Sequence, residues 1–290
     1  MNNPYLSMVQ GYAQLMRDGR KMPLGGIPAT PRAAVQADAP KVLLFAPHPD
    51  DECIIGGIAV RLMREVGCPV VNVAVTQGSN KERQAPRLDE LRAACELLGF
   101  DLRTTQPGGL EKISPKGKES DPANWSRAVG IIAGILEEEQ PGVVMFPHDA
   151  DWNGTHIGTH HLLADAMRML GGRFSTLVIE TEFWAAMSTP NLMVELSEPD
   201  VADMVAAISF HVGEVHRNPY HLTLPSWMQD NVRRGGEIVG GQGGTAPDFT
   251  FATLYRVRRW ADGAFQKALD AGVNISKADT AALKKLVTLA

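Results

Sequence analysis

The stretch LLFAPHPDDECIIGG, running from Leu43 to Gly57, places one histidine and three acids directly behind an apolar run: His48, Asp50, Asp51 and Glu52. A strand-to-helix turn needs a single polar cap at that point, so the excess asks for a chemical reason. A dinucleotide-binding turn would carry Gly-x-Gly-x-x-Gly to let the backbone approach a pyrophosphate. His-Pro-Asp-Asp-Glu repels phosphate and attracts a cation instead. His48 and Asp51 are close enough across the turn to share one ion. A second cluster, HDADWNGTHIGTHH, supplies His156 and His160, which fall on one helical face if the helix has begun by Thr155. Two or three histidines with one aspartate suit Zn²⁺, with Mn²⁺, Fe²⁺ and Co²⁺ as alternatives, and three protein ligands leave a position open for water. Asp50 lies beside such a metal without needing to bind it, which makes it the natural general base. Capping alone would explain one aspartate, not His48, Asp51 and Glu52 together. Glu52 reads as an acid bonding to backbone amides under the turn.

The elements that must carry these residues follow from pattern. KVLLFAP, from Lys41, is continuously apolar, as a strand buried on both faces is. IIGGIAVRLMREVG reads as a helix capped by Gly67, PVVNVAVT as the next strand, and APRLDELRAACELLG as a helix ending at Gly99. DLRTT is a weak third strand, followed by a polar loop, GLEKISPKGKESDP. ANWSRAVGIIAGILEEEQ is a helix, VVMFP a fourth strand and TLVIETEFWAA a fifth, with the second histidine cluster entering a helix between those two. EPDVADMVAAISFH reads as a helix, the glycine-rich residues 235–244 as a flexible loop, and FTFATLYRVRRW as a late strand. This alternation predicts an α/β, Rossmann-like, mostly parallel sheet with helices on both faces. Ligands bind such sheets beyond the carboxyl ends of the strands, where His48–Glu52, Thr76-Gln77-Gly78 and His148–His161 all fall. Residues 1–40 form an N-terminal helical arm, near Pro4–Arg20, and a Pro/Gly/Ala-rich linker; contact between subunits in a homo-oligomer or cover for the sheet edge would suit it. Residues 41–290 are expected to form one domain.

The chain has 290 residues and a formal net charge of −5, with no basic stripe to neutralise phosphates, which argues against a nucleic-acid partner. No apolar run is long enough for a membrane span. Cys53, Cys68 and Cys95 lack metal-type spacing and read as buried thiols in a reducing, cytoplasmic compartment. His148 and His161 are expected behind the ligands or at the surface, and His216 and His221, flanking Pro219, in solvent.

APHPDDE followed by a distant histidine motif resembles the LmbE-like, or PIG-L, family of zinc-dependent N-deacetylases over roughly Lys41 to Arg258. RLDELRAACELLG is similar to the family's Arg-x-x-Glu-Leu helix, and DWNGTHIGTHHLL stands where the family has Asp followed by His-Pro-Asp-His. AISFHVGEV is loosely similar to its later His-x-Ser-Gln, and the glycine-rich stretch before PDFTF to the end of its core. The resemblance implies His48 and Asp51 as metal ligands and Asp50 as general base. It implies His160 as third ligand, since Leu162 and Leu163 match the apolar pair after the motif, with His161 as the fallback. His156 becomes the histidine that steadies the oxyanion, although it stands four residues before the ligand rather than three, and Thr159 replaces the motif's internal Asp. Asp151 or Asp149 would orient a ligand histidine. Arg87 matches a substrate-contacting arginine, while Gly213-Glu214 replaces Ser-Gln, so no role transfers there.

The activity implied is zinc-dependent removal of an acetyl group from the amide nitrogen of an N-acetylglucosamine-type sugar or conjugate. Trp152, with Trp184, near the expected mouth, would stack on the sugar ring. Two rivals remain at this level. Asp149-Ala150-Asp151 is an Asp-x-Asp that could hold Mn²⁺ on a nucleotide sugar in a metal-dependent glycosyltransferase, and a non-catalytic sugar-binding module would bind metal and ligand without turnover.

Overall fold

A computed structural model describes residues 3–29 and 31–289; Met1, Asn2, Thr30 and Ala290, at the ends of the arm, in its linker and at the C-terminus, lie outside that description. A first helix, α1 (Leu6–Gly19), precedes the sheet. Then come β1 (Val42–Ala46), the short helices α2 (Asp51–Ile55) and α3 (Gly57–Arg61), a π turn over Leu62–Val66, and β2 (Val70–Ala74). The middle of the chain gives α4 (Gln84–Leu98), β3 (Asp101–Thr104), α5 (Pro115–Ser120), α6 (Pro122–Glu139), β4 (Val143–Pro147), α7 (Gly154–Leu170) and β5 (Thr176–Thr181). β6 (Leu192–Leu196), α8 (Glu198–Ser209), α9 (Val212–Arg217), α10 (Tyr220–Ile238), β7 (Phe251–Ala261), β8 (Ala264–Lys267), β9 (Val273–Ile275) and α11 (Thr280–Val287) complete it.

The nine strands form one mixed sheet in the order β3-β2-β1-β4-β5-β7-β6-β9, with β8 on β7. β1 to β5 pair in parallel, β7 runs antiparallel to β5, β6 and β8, and β9 is parallel to β6. The winding reverses between β1 and β4, and the crevice beyond a reversal of that kind is where an open α/β sheet takes a ligand. Both histidine clusters leave the sheet there. β1 alternates its side chains between two cores: Val42, Leu44 and Ala46 pack with α2, α3, α4 and α8, and Leu43 and Phe45 pack with α6 and α7. Burial on both faces is why the strand reads as an unbroken apolar run. Gly67 (φ 82°) and Gly99 (φ 83°) are left-handed helix caps, as the sequence predicts.

The structure departs from the sequence reading in five places. GLEKISPKGKESDP holds α5, started by Ser114, whose hydroxyl accepts from the Gly117 amide. The fifth strand stops at Thr181, and EFWAA is a loop. The supposed flexible loop at 235–244 is helical through Ile238, because Gly235 lets α10 press on Met193 and Leu254, where a Cβ would sit 2.6 and 2.8 Å from their side chains. His221 is buried rather than solvated, whereas His216 is exposed as expected. Finally, β6, β8, β9 and α11 extend the sheet and its cover beyond the elements legible in the sequence. All three cysteines are free and buried. Among the described residues no helix is long and apolar enough to cross a membrane.

Candidate active site

The turn after β1 gives each of its acids a separate task. Thr76, following β2, donates its hydroxyl to Pro47 O at 2.7 Å and ties the two strand ends together. Asp51 accepts the His48 amide on Oδ2 at 2.9 Å. Glu52 accepts the Asp50 amide on Oε2 at 3.0 Å, and its Oε1 receives His211 Nε2 at 2.8 Å and Cys53 Sγ at 3.0 Å. Glu52 and His211 are fully buried, so the turn is bolted from below by a residue 159 positions away. Asp50 alone keeps its carboxylate free for the cavity, and its backbone is left-handed, at φ 117°. An L-residue with a side chain resists that region, and such strain persists only where the surroundings over-determine it.

Asparagine 153 caps α7 by accepting the Thr155 amide at 2.8 Å, which starts the helix at Gly154. Its first turn therefore carries His156 to the end of β1. His156 Nε2 lies 3.2 Å from Asp51 Oδ2, and His48 Nδ1 lies 3.4 Å from the same oxygen. His48, Asp51 and His156 each offer a ligand atom, all within 4.8 Å of one another. Behind His156, Asp151 Oδ2 sits 3.6 Å from Nδ1, while Asp151 Oδ1 is held by the Asn153 amide at 2.7 Å. A carboxylate behind a ligand histidine fixes ring and tautomer. His156 Nε2 and Asp151 Oδ2 are buried with no hydrogen-bond partner of their own. Burial works against a charged His156, but Asp51 and Asp151 outweigh it and raise its pKa to about 10. Burial likewise works against the Asp51 charge, and His156 and His48 hold that carboxyl far below its usual range. Burial, then Asp51, drives Asp50 the other way, well above its usual range, with Arg87 partly offsetting them. These side chains fit a divalent cation: three convergent N and O donors, an orphaned ring nitrogen facing a carboxylate and, among the described residues, no ammonium or guanidinium paired with Asp51.

His160, the third ligand implied by the resemblance, is not in this group. One turn further along α7, its Nδ1 lies 3.1 Å from Pro147 O and 3.4 Å from Glu180, and its ring packs on Phe146 and Phe265. His161, the fallback, stands edge-on to His160. The position read as an oxyanion donor, His156, is the one the fold brings to His48 and Asp51. Glu52, Cys53 and His211 also lie within 4.8 Å of one another. They are already hydrogen-bonded among themselves, and burial and Glu52 push the Cys53 thiol well above its ordinary pKa, which leaves a thiol and not a thiolate ligand.

A cavity of about 660 Å³ opens over His48, Asp50 and Asp51, lined also by Arg87, Asn153, Trp184 and Tyr220. Arg87 donates to Pro49 O at 3.0 Å and lies 3.9 Å from Asp50 Oδ2. Trp152, the expected stacking residue, projects into solvent at 80% exposure and forms no part of this wall, whereas Trp184 does. The two acids of Asp149-Ala150-Asp151 turn to different partners: Asp149 to Arg256 at 2.7 Å, Asp151 to His156. His148 is tied to Ala185 O at 3.0 Å. The sequence assigned no role to His211, Glu214 or Tyr220; the loose match of AISFHVGEV to His-x-Ser-Gln and the i,i+3 pair Glu214–Arg217 were the local signals for the first two.

Residues 43–167 match the family model described as PIG-L, GlcNAc-PI de-N-acetylase, so the resemblance carried by the HPDDE motif holds over that segment. A diacetylchitobiose deacetylase of Thermococcus kodakarensis is 30% identical over 121 residues, 38% of this chain and 41% of that protein. The chain spans about half or less of the length of the curated relatives it matches. Among solved structures, an N,N′-diacetylchitobiose deacetylase from Pyrococcus horikoshii has a TM-score of 0.54 at 16% identity, covering 91% of this chain and 94% of that one. A 4-carboxy-2-hydroxymuconate hydratase from Pseudomonas putida has a TM-score of 0.55 at 18% identity, covering 75% and 95%. At these identities the structures share the fold alone, and the fold serves more than one reaction.

Proposed function

With the PIG-L match over residues 43–167 as premise, we propose that this protein is a cytoplasmic, divalent-metal-dependent hydrolase that removes the acetyl group from the nitrogen of an N-acetylglucosamine-type sugar or conjugate. The observation that carries this reading is the convergence of His156 on His48 and Asp51, which with the unbonded carboxylate of Asp50 line one cavity. His48, Asp51 and His156 would hold the cation, with Zn²⁺ favoured by the donor set. A cation there would supply Lewis acidity, making water a stronger acid and an amide carbonyl a better electrophile. Asp50 takes the proton of the attacking water as the new C–O bond forms at the acetamide carbon. It then returns that proton to the sugar nitrogen as the C–N bond breaks, giving acetate and a free amine. Burial beside Asp51, which lifts its proton affinity, suits both halves of that task. Arg87, anchored on Pro49 O, sits over Asp50 and positions the substrate. With His156 among the ligands, neutral donors of the wall such as Asn153 Nδ2 and the Tyr220 hydroxyl would serve the carbonyl oxygen. Trp184, half-exposed in the wall, offers the sugar a face to stack on.

The test couples elemental analysis of the purified protein to acetate release from N-acetylglucosamine, N,N′-diacetylchitobiose and their conjugates. Asp50→Asn should keep its metal and lose about 10²- to 10⁴-fold in kcat. Near-normal turnover by that variant would remove Asp50 from the mechanism.

A further inference from the structure

Beside Asp50 the cavity wall carries two arginines, Arg83 and Arg217, that the proposed reaction does not use, next to Arg87, which it does. Arg83, Arg87 and Arg217 all converge on one buried carboxylate, Glu214. Arg83 Nη1 lies 3.1 Å and Arg87 Nη2 3.8 Å from Glu214 Oε1, and Arg217 donates to Oε2. Two lysines stand on the same wall, Lys81 paired with Glu111 at 2.8 Å and Lys112 with Asp121 at 3.2 Å. Even with Asp50 also 3.9 Å from Arg87, three guanidiniums face two carboxylates, which leaves an uncancelled positive charge in a chain whose net charge is −5, so this is no reflection of bulk composition. Glycine stands at two of the close approaches. A Cβ at Gly213 would overlap the guanidinium of Arg83, and one at Gly78, itself left-handed at φ 80°, would overlap Arg87. Arg87 Nε is buried without a hydrogen-bond partner, and Arg83 and Arg217 keep donors turned to solvent, at 38% and 67% side-chain exposure.

Balancing Glu214 and Asp50 would take two of these cations, and placing a third next to a cation-holding centre costs Coulomb energy. A neutral sugar repays none of that. A planar oxyacid group does, since guanidinium forks match its oxygens in pairs. We infer that the compound turned over here carries, apart from its acetamide, an anionic oxyacid group, carboxylate or phosphate, that docks on Arg83, Arg87 and Arg217. The inference rests on the deacetylase reading for the reacting end of the substrate and on the arginine cluster for the other end. It makes the substrate class acidic acetamido sugars in place of neutral ones.

Two measurements test it independently. Acetate release is compared between the neutral N-acetylglucosamine and N,N′-diacetylchitobiose, the carboxylated N-acetylmuramic acid, and N-acetylglucosamine 6-phosphate and 1-phosphate. At least one acid-bearing compound should exceed the neutral ones in kcat/KM by about 10- to 100-fold, the worth of one or two charge-assisted hydrogen bonds, and the advantage should shrink with salt. Whether carboxylate or phosphate leads identifies the anion. In Arg83→Gln/Arg217→Gln the ratio should fall towards one, with Arg83→Lys/Arg217→Lys recovering part of it as a control for folding. Separately, calorimetric titration of the metal-loaded protein with succinate and with inorganic phosphate should show binding that weakens about tenfold or more in the Gln variant. Equal rates on neutral and acidic compounds, or a ratio and an anion affinity indifferent to both arginines, would overturn the inference and leave the deacetylase reading standing. Arginine-dependent anion binding without hydrolysis of any acetylated compound would support the inference and sink the deacetylase reading. Loss of both would end both.

Discussion

Histidines 156 and 160 stand one turn apart on α7, each beside a buried carboxylate: 3.2 Å from Asp51 in one case, 3.4 Å from Glu180 in the other. By residue type the two places are alike, yet only one is fit for a cation. Glu180 is already answered by Arg256 at 2.5 Å and Arg258 at 2.6 Å, and His160 turns its Nδ1 to the Pro147 carbonyl. Among the described residues the ionisable partners of Asp51 and Asp151 are histidines alone, and His156 Nε2 has no hydrogen-bond partner. What separates a metal centre from a salt-bridge cluster here is whether guanidinium charge has cancelled the acids first. Histidine and aspartate count alone does not say.

The largest effect expected from breaking this contrast is on metal content. His156→Gln and Asp51→Asn should each lose the bound cation and about 10³-fold or more in turnover, while His160→Gln keeps both nearly intact; the reverse pattern by elemental analysis would restore His160 as the ligand. Next in size, Glu180→Gln leaves Arg256 and Arg258 facing each other over an uncharged amide. It should cost about 3–5 kcal/mol in urea unfolding. Asp149→Asn, which removes only the outer partner of Arg256, should cost about 1 kcal/mol or less. Arg256 holds Asp149 down to about 2 against the pull of burial, so that contribution is present above the unfolded pKa and fades as pH falls towards 2.

A third test uses the histidines themselves. Burial lowers the pKa of His160 beneath its ordinary 6.5, and Glu180 and Asp149 only partly offset it. The unfolded chain therefore binds a proton before the folded one does. Stability tied to His160 is complete above about pH 6.5 and drains as pH falls, by at most about 1.4 kcal/mol per pH unit. His160→Gln should flatten that acid limb, and an unchanged slope would place the burden on another group. The smallest effect belongs to the tryptophans: Trp152→Ala should leave KM and stability within about 0.5 kcal/mol of wild type, while Trp184→Ala should raise KM.

Much of this was legible in the chain because it is local. The apolar run of β1, the caps at Gly67 and Gly99, and the crowding of His48, Asp50 and Asp51 depend on residues within a few positions of one another. The choice between His156 and His160 is not local. Both share a helical face, and the choice depends on α7 starting at Gly154 and on the angle at which its first turn meets β1. The Glu52–His211 bolt and the Arg83–Glu214 contact join segments more than a hundred residues apart, with no periodic signal to announce them. Gly235 and Gly236 argue locally against a helix, yet packing on Met193, Leu254 and Ala246 needs the close approach that only glycine allows.

Asp50 holds a backbone shape that glycine would adopt more cheaply, by about 1–3 kcal/mol, and the hydrogen bond from its amide to Glu52, which ties the turn to the acid beneath it, would survive the exchange. A library of this protein propagated for heat resistance alone should therefore drift towards glycine at position 50, while one screened for turnover should never lose the aspartate. Sequencing both pools would mark the position where the two selections pull in opposite directions, with no substrate named beforehand for the first.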